Sequence, residues 1–306
     1  MRVLVTGANG FVGGHLLSVL ACHDLEVVAV SREDLDVCDA SDVDVLVCSV
    51  RPERVFHLAA QASVAMSFRE PVRTFQINAL GTLNLLEAMR MHVPDARLLV
   101  ASSADTYGRV EPHEIPVHED VPQRPVSPYA ASKVAQESVA LQYARAYGMH
   151  VVVTRSFNAI GPGQSTDFAL PSFAAQIARG AARGKGIRLQ VGNLDVERDF
   201  VDVRDVVRAQ VMLLESSAPG QCFNICSGSP VRLSDALDVL IAESGQSVIV
   251  EVDPELLRPT DVPRMAGDNR KICATVPWSA TIPLSQSLRD LYRASLAAAS
   301  SDASTD

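Results

Sequence analysis

"RVLVTGANGFVGGHLL", residues 2–17, sets a β-branched, apolar run against three glycines and then a second apolar run at helical spacing. Gly7, Gly10 and Gly13 close the strand and open the helix. Glycine in such a turn lets the chain reverse tightly, lets backbone N–H groups approach a pyrophosphate, and lets helix pack close on strand. The helix start adds unpaired N–H groups and the positive end of its dipole. The spacing is G-x-x-G-x-x-G, not the G-x-G-x-x-G of the usual fingerprint. Strand, glycines and helix in this order read as a dinucleotide-binding turn, with Asn9, Phe11 and Val12 carried beside the glycines.

Working outward, four more strand-like runs follow: EVVAV (26–30), RVFHLAA (54–60), RLLVASS (97–103) and HVVVTR (150–155). Helical patterns separate them at 12–22, 41–50, 74–91 and 128–147. Apolar strands alternating with helices predict an α/β fold, a Rossmann-like doubly wound parallel sheet covered on both faces. After residue 157 the texture changes to turn clusters, a further helix at DVRDVVRAQVMLLESS and a late strand at QCFNICSG that can rejoin the sheet. The division expected is a dinucleotide lobe of 1–157 plus about 199–229, and a smaller C-terminal α/β substrate lobe of 158–198 plus 230–294. The low-complexity end, 295–306, is expected to be a disordered tail.

Composition limits the function classes. The 306 residues are 47% hydrophobic and 21% charged, as in a globular protein with a sizeable core. A net charge of −9 argues against nucleic acid as a partner, so an anionic ligand needs its own arginine cluster. The chain enters a strand at once, without a leader-like segment, and has no long apolar stretch, so a cytoplasmic protein with no membrane contact is expected. Six scattered cysteines show no metal-ligand spacing and read as buried free thiols.

The residues after the second strand bear on the cofactor. Arginine there suits the extra phosphate of NADP, and a carboxylate suits the ribose of NAD. Ser31 and Arg32 favour NADP(H), while Glu33 and Asp34 behind them keep NAD(H) possible. Asp36 and Val37, in LDVCD, are placed to meet the adenine. Further on, SPYAASK (127–133) supplies a capping serine, a proline suited to a first helical position, and Tyr129 one turn before Lys133 on the same face.

Taken in order, TGANGFVG, DVCD, HLAAQASV, NALGTLNLLEA, ASSADTYG, SPYAASK and RSFNAIGPGQ resemble the extended branch of the short-chain dehydrogenase/reductase family, over nearly the whole chain. The resemblance implies that Tyr129 is the acid or base, that Lys133 tunes it and holds the cofactor ribose, and that Ser103 hydrogen-bonds the reacting oxygen, with Ser102 as the rival. Lys133 is expected to stabilise the phenolate. Asp105 matches an acid found in both dehydratases and reductases of the branch, so it does not settle the reaction. Leu58, Ala59, Ala60, Asn78 and Phe157 fall at cofactor-contact positions.

GNLDVERDFVDVRD (192–205) and RPTDVPRMAGDNRK (258–271) narrow the likeness to enzymes of GDP-mannose-derived sugars. The implied reaction is NAD(P)H-dependent reduction of the C4 ketone of GDP-4-keto-6-deoxy-D-mannose to GDP-D-rhamnose. The short N-terminal arm and short loop after the second strand favour this over 4,6-dehydration of GDP-mannose. A 4-epimerase is a further alternative, and a silent NAD(P)-sensing protein a non-enzymatic one. Arg198 and Arg258 match diphosphate-binding arginines, Asn158 and Asn193 add neutral contacts, and Lys185 stands near the base. The family's four-helix dimer interface implies a homodimer through 74–91 and 128–147.

Overall fold

The computed structural model describes residues 1–184, 186–257 and 262–303. Its strands are β1 (Arg2–Thr6), β2 (Glu26–Val30), β3 (Arg54–His57), β4 (Arg97–Ser103), β5 (His150–Ser156), β6 (Asn158–Ile160), β7 (Ile187–Val191), β8 (Glu197–Asp202), β9 (Gln221–Ile225), β10 (Pro230–Arg232), β11 (Val248–Val252) and β12 (Arg264–Met265). Six of them form one parallel sheet in the order β2-β1-β3-β4-β5-β9. From β1 the sheet grows both ways, to β2 on one side and β3 on the other, and the crevice at that reversal is where a doubly wound sheet takes its ligand.

Alternation along the strands builds the core on both faces. Leu4, Val55, Leu98, Val100, Val151 and Val153 pack under Leu85, Leu86, Met89, Ala140 and Tyr143. Val3, Val5, Phe56 and Leu99 face the other way, against Leu16, Leu20, Val207 and Leu214. The helix Pro128–Tyr147 begins as its sequence predicts: the Ser127 hydroxyl accepts from the Ala130 N–H at 3.1 Å, and Gly148 ends it at φ 70°. The pattern at 74–91 resolves into three pieces, Pro71–Phe75, a π-turn at Gln76–Leu80 and Gly81–His92.

The remaining strands lie apart from the main sheet. β8 pairs with β6, β10 and β12, and β7 pairs with β11. Because β8 lies in this smaller sheet, residues 199–202 sit outside the main sheet, which the chain rejoins through the helix Val203–Ser216 and β9. The tail expected to be disordered at 295–306 is helical in its described part: Leu284–Ala303 is one helix, and 304–306 lie outside the described residues. Leu288, Leu291, Tyr292 and Ala299 are buried against the helix Ala169–Ala182, and alanine's helix propensity carries the small residues between them. The cysteines are free, but of the six only Cys226 is buried. Among the described residues no helix is long and apolar enough to cross a membrane, and no His, Cys, Asp and Glu cluster is arranged to hold a metal.

Candidate active site

The glycine turn forms one wall of a cavity of about 350 Å³. Gly7 has φ +72°, and a Cβ there would lie 2.7 Å from the Ala59 nitrogen. A Cβ on Gly13 would lie 2.4 Å from the Gly7 carbonyl oxygen and 2.6 Å from that of Ala8. The turn therefore closes only with glycine at both places. Gly10 caps the helix Phe11–Leu20 without a side-chain bond, so its first N–H groups are left for a ligand. Gly7, Asn9, Gly10, Ser31, Arg32, Asp36, Val37, Leu58, Ala59 and Ala60 all line the cavity. Phe11, Val12 and Gly13 form the helical turn behind it.

This cradle fits a dinucleotide: a turn with no room for side chains, an open helix start, and arginine beside the second strand. The competing acids are turned aside. Asp34 accepts from the Ser31 N–H at 2.8 Å and the Ser31 hydroxyl at 2.7 Å, which hold its carboxyl below the usual range. Neither Glu33 nor Asp34 lines the cavity, whereas Arg32 does. Sequence reading missed Thr6, Gln61, Ile77 and Arg73 on its walls. Arg73 arrives from a helix more than thirty residues downstream of Asp36 and stands 3.4 Å from its carboxylate.

The residues of the expected reaction stand on β4 and on the helix Pro128–Tyr147. Tyr129 and Lys133 are both buried. Ser102 and Ser103 separate cleanly, because consecutive strand residues point to opposite faces. The Ser102 hydroxyl donates to the buried Glu137 carboxylate. Ser103 is the serine that acts on the Tyr129 phenol, and its oxygen also accepts from the Asp105 N–H at 3.1 Å. Burial pushes the Tyr129 pKa up, the Asp105 charge pushes it further, and the Ser103 hydroxyl opposes them. The Lys133 ammonium donates to the Ala101 carbonyl at 2.8 Å and to Gln136 at 2.9 Å. Burial pulls Lys133 down to about 8, against the opposing pull of Glu137. Burial thus favours the neutral, protonated form of the Tyr129 phenol.

The supporting shell is fully bonded. Glu137 takes Ser102, Gln123 and a forked pair from Arg155, whose guanidinium also stacks 4.8 Å from the Tyr107 ring. Asn78, in the π-turn, accepts from the Gln61 N–H at 2.8 Å and donates to the Gln61 carbonyl and to Ser132. It fixes the cavity wall rather than touching Lys133. Phe157 is buried with Tyr107, Val117, Cys226 and Met265.

The substrate half is placed less directly. Asn158 donates to the Asp199 carbonyl at 3.1 Å, and Asn193 makes a local turn by accepting from the Asp195 N–H at 3.0 Å. Arg198 reaches the carbonyls of Glu197 and Val262. Lys185 and Arg258 lie outside the described residues. Asp199, the neighbour of Arg198 in sequence, is fully buried and accepts from Ser227, Gly228 and Gly267, tying three segments together.

Comparison with known proteins agrees with this geometry. The chain is 38% identical to the GDP-6-deoxy-D-mannose reductase of Pseudomonas aeruginosa, over 94% of this chain and 95% of the relative. It is 31% identical to the GDP-mannose 4,6-dehydratase of Sinorhizobium fredii, over 79% of this chain and 74% of the relative. The solved structure of RMD from Pseudomonas aeruginosa complexed with NADPH superposes with a TM-score of 0.90 and 36% identity, covering 97% of this chain and 99% of that one. UDP-glucose 4-epimerase of Thermus thermophilus in complex with NAD has a TM-score of 0.85 and 32% identity, covering 96% and 99%. Residues 33–291 match the family described as GDP-mannose 4,6 dehydratase, and the chain belongs to that family, an extended short-chain dehydrogenase/reductase with a dinucleotide-binding sheet.

Proposed function

We propose that the protein reduces the C4 ketone of GDP-4-keto-6-deoxy-D-mannose to GDP-D-rhamnose, with NADPH favoured and NADH possible. The observation that carries this is the match along almost the entire chain to a GDP-6-deoxy-D-mannose reductase, on a site whose tyrosine is held protonated beside a serine. The glycine turn, Ser31, Arg32, Asp36 and the Leu58–Ala60 wall would hold the dinucleotide. When bound, that cofactor supplies the hydride. Tyr129 gives its proton to the C4 oxygen, and Ser103 hydrogen-bonds the charge that develops there. Lys133 follows one turn behind Tyr129 as the cation of the site. Arg198, with Arg258, is proposed to face the GDP diphosphate. Asp105 is proposed to shape the charge around Tyr129, whose pKa it already raises.

Dehydration of GDP-mannose is the second reading, favoured by the family match and by the dehydratase relatives. Incubation with GDP-mannose alone, and with the keto sugar plus NADPH, separates the two. A reductase leaves GDP-mannose untouched and consumes NADPH only with the keto sugar. Keto sugar formed from GDP-mannose without added reductant would establish the dehydratase.

We further propose a homodimer through the helices of 64–92 and 128–147. They leave Phe68, Val72, Leu80, Met91 and Tyr147 exposed, an apolar face that a second copy would cover. A monomer mass at micromolar concentration would refute it. Six free cysteines fit a reducing compartment such as the cytoplasm.

A further inference from the structure

Beneath the cavity runs a set of buried polar side chains that the proposed reaction does not use directly. Thr6, His57, Thr82 and Gln136 are each at most 1% exposed. Their bonds admit one arrangement. The single Thr82 hydroxyl proton goes to the Asn78 carbonyl at 2.7 Å, so Thr82 accepts from its other neighbours. Those neighbours are the Gln136 amide nitrogen at 2.8 Å and His57 Nε2 at 2.9 Å. His57 Nε2 therefore carries the proton, and Nδ1 accepts from the Thr6 hydroxyl at 2.8 Å. With its nitrogen committed to Thr82, Gln136 must turn its oxygen to the Lys133 ammonium, 2.9 Å away.

We propose that Gln136 is a positioning residue for Lys133, held in one orientation by a hydrogen-bond relay that starts at Thr6 on the dinucleotide cavity. This rests on the proposed reading of Tyr129, Lys133 and the dinucleotide as one site. The relay reaches the cavity twice, since Thr6 lines it and its hydroxyl oxygen also accepts from the Ala59 N–H at 3.4 Å. Among the described residues only the Ala101 carbonyl and the Gln136 oxygen are hydrogen-bond acceptors for Lys133, so they fix where its charge lies. A Gln136 flip would set a nitrogen donor against the ammonium and leave the Thr82 oxygen without a donor. The ionisable groups around Lys133 are Glu137 on its own helix, His57 across the sheet and Tyr129 one turn earlier, on which Asp105 acts in turn. Burial keeps His57 neutral, as the relay requires.

The test is the pH dependence of NADPH affinity by fluorescence titration, with kcat/KM on the keto sugar alongside, for the full-length protein. Gln136→Met keeps the volume and removes both polar ends. It should lower kcat/KM by about 10- to 100-fold, the scale of a misplaced group. The pH above which NADPH affinity falls should move down by roughly half a unit or more, because the ammonium has lost an acceptor. Gln136→Glu keeps an acceptor and adds a negative charge, so that pH should move up. Thr82→Ser retains the hydroxyl and should behave as wild type. If Gln136→Met does not fold, the upward shift of Gln136→Glu decides the question. Variants that fold with pH profiles and kcat/KM within twofold of wild type would overturn the proposal. Lys133→Met is measured in parallel: if it too leaves affinity and turnover unchanged, the reading of the site itself fails, not only the role of Gln136.

Discussion

Gly13 and Gly14 are neighbours on one helix, and replacing each by alanine should have opposite effects. At Gly14 nothing lies within 4 Å of the added Cβ, so alanine gives only its helix propensity, about 0.5–1 kcal/mol of stabilisation. At Gly13 the same gain meets two backbone oxygens, at 2.4 and 2.6 Å, closer than carbon and oxygen tolerate. Backbone at the foot of a tight turn cannot swing aside as a long side chain would. Overpacking of this kind costs about 1–3 kcal/mol, leaving a net loss of up to about 2.5 kcal/mol once the helical gain is subtracted. At about 2–4 °C per kcal/mol, Gly13→Ala should melt lower, by up to roughly 10 °C, and Gly14→Ala about 1–4 °C higher. The displaced atoms include the Gly7 carbonyl, so the turn's N–H directions change as well. Loss of one hydrogen bond to a charged phosphate, about 1.5–3 kcal/mol, weakens NADPH binding by roughly tenfold or more. Thermal unfolding and NADPH fluorescence titration measure both effects. Equal melting points and equal affinities for the two variants would refute the reasoning about the turn.

Three further outcomes follow from named contacts. Ser103→Ala should lower kcat/KM by about 10²-fold or more at near-normal stability, whereas Ser102→Ala should mainly destabilise, by about 1–3 kcal/mol; the reverse pattern would exchange the two assignments. Arg155→Met strands the buried Glu137 charge and should cost about 3–5 kcal/mol by urea unfolding, with part recovered in Arg155→Met/Glu137→Leu; a loss below about 1 kcal/mol would contradict the buried pair. His57 has its pKa depressed to about 3 when folded, against 6.5 when free, so between these values the unfolded chain binds the extra proton and stability falls as pH falls. Wild type should therefore lose more stability from pH 7 to pH 5 than His57→Gln, with a slope approaching about 1.4 kcal/mol per pH unit, and identical losses would show that His57 is not buried neutral.

Much of the site was legible because its chemistry is local in sequence. The turn of Gly7, Gly10 and Gly13, the Ser127 cap and the Tyr129–Lys133 face each lie within a dozen residues, where spacing alone fixes geometry. What spacing cannot give is contact across the fold. Arg73 meets Asp36 because the helix Pro71–Phe75 is set against the loop after β2, and Asp34 is turned from the cavity by its bonds to Ser31. Ser102 and Ser103 are equivalent until the strand's faces are known, when one meets the buried Glu137 and the other the Tyr129 phenol. The same holds for protonation. Spacing sets a lysine one turn from a tyrosine, but not how deeply both are buried, nor that Ala101 and Gln136 accept from the ammonium. At the C-terminus, a low-complexity run conceals a helix whose buried face recurs at Leu288, Leu291, Tyr292 and Ala299.

One comparison tests the centre of the account most directly: single-turnover reduction of the keto sugar by NADPH with wild type and Tyr129→Phe, with NADPH affinity measured beside it. Phenylalanine keeps the ring and removes the proton, so the rate should fall by about 10²–10⁴-fold while NADPH affinity stays within about twofold. A variant that reduces the keto sugar at the wild-type rate would show that the proton comes from elsewhere.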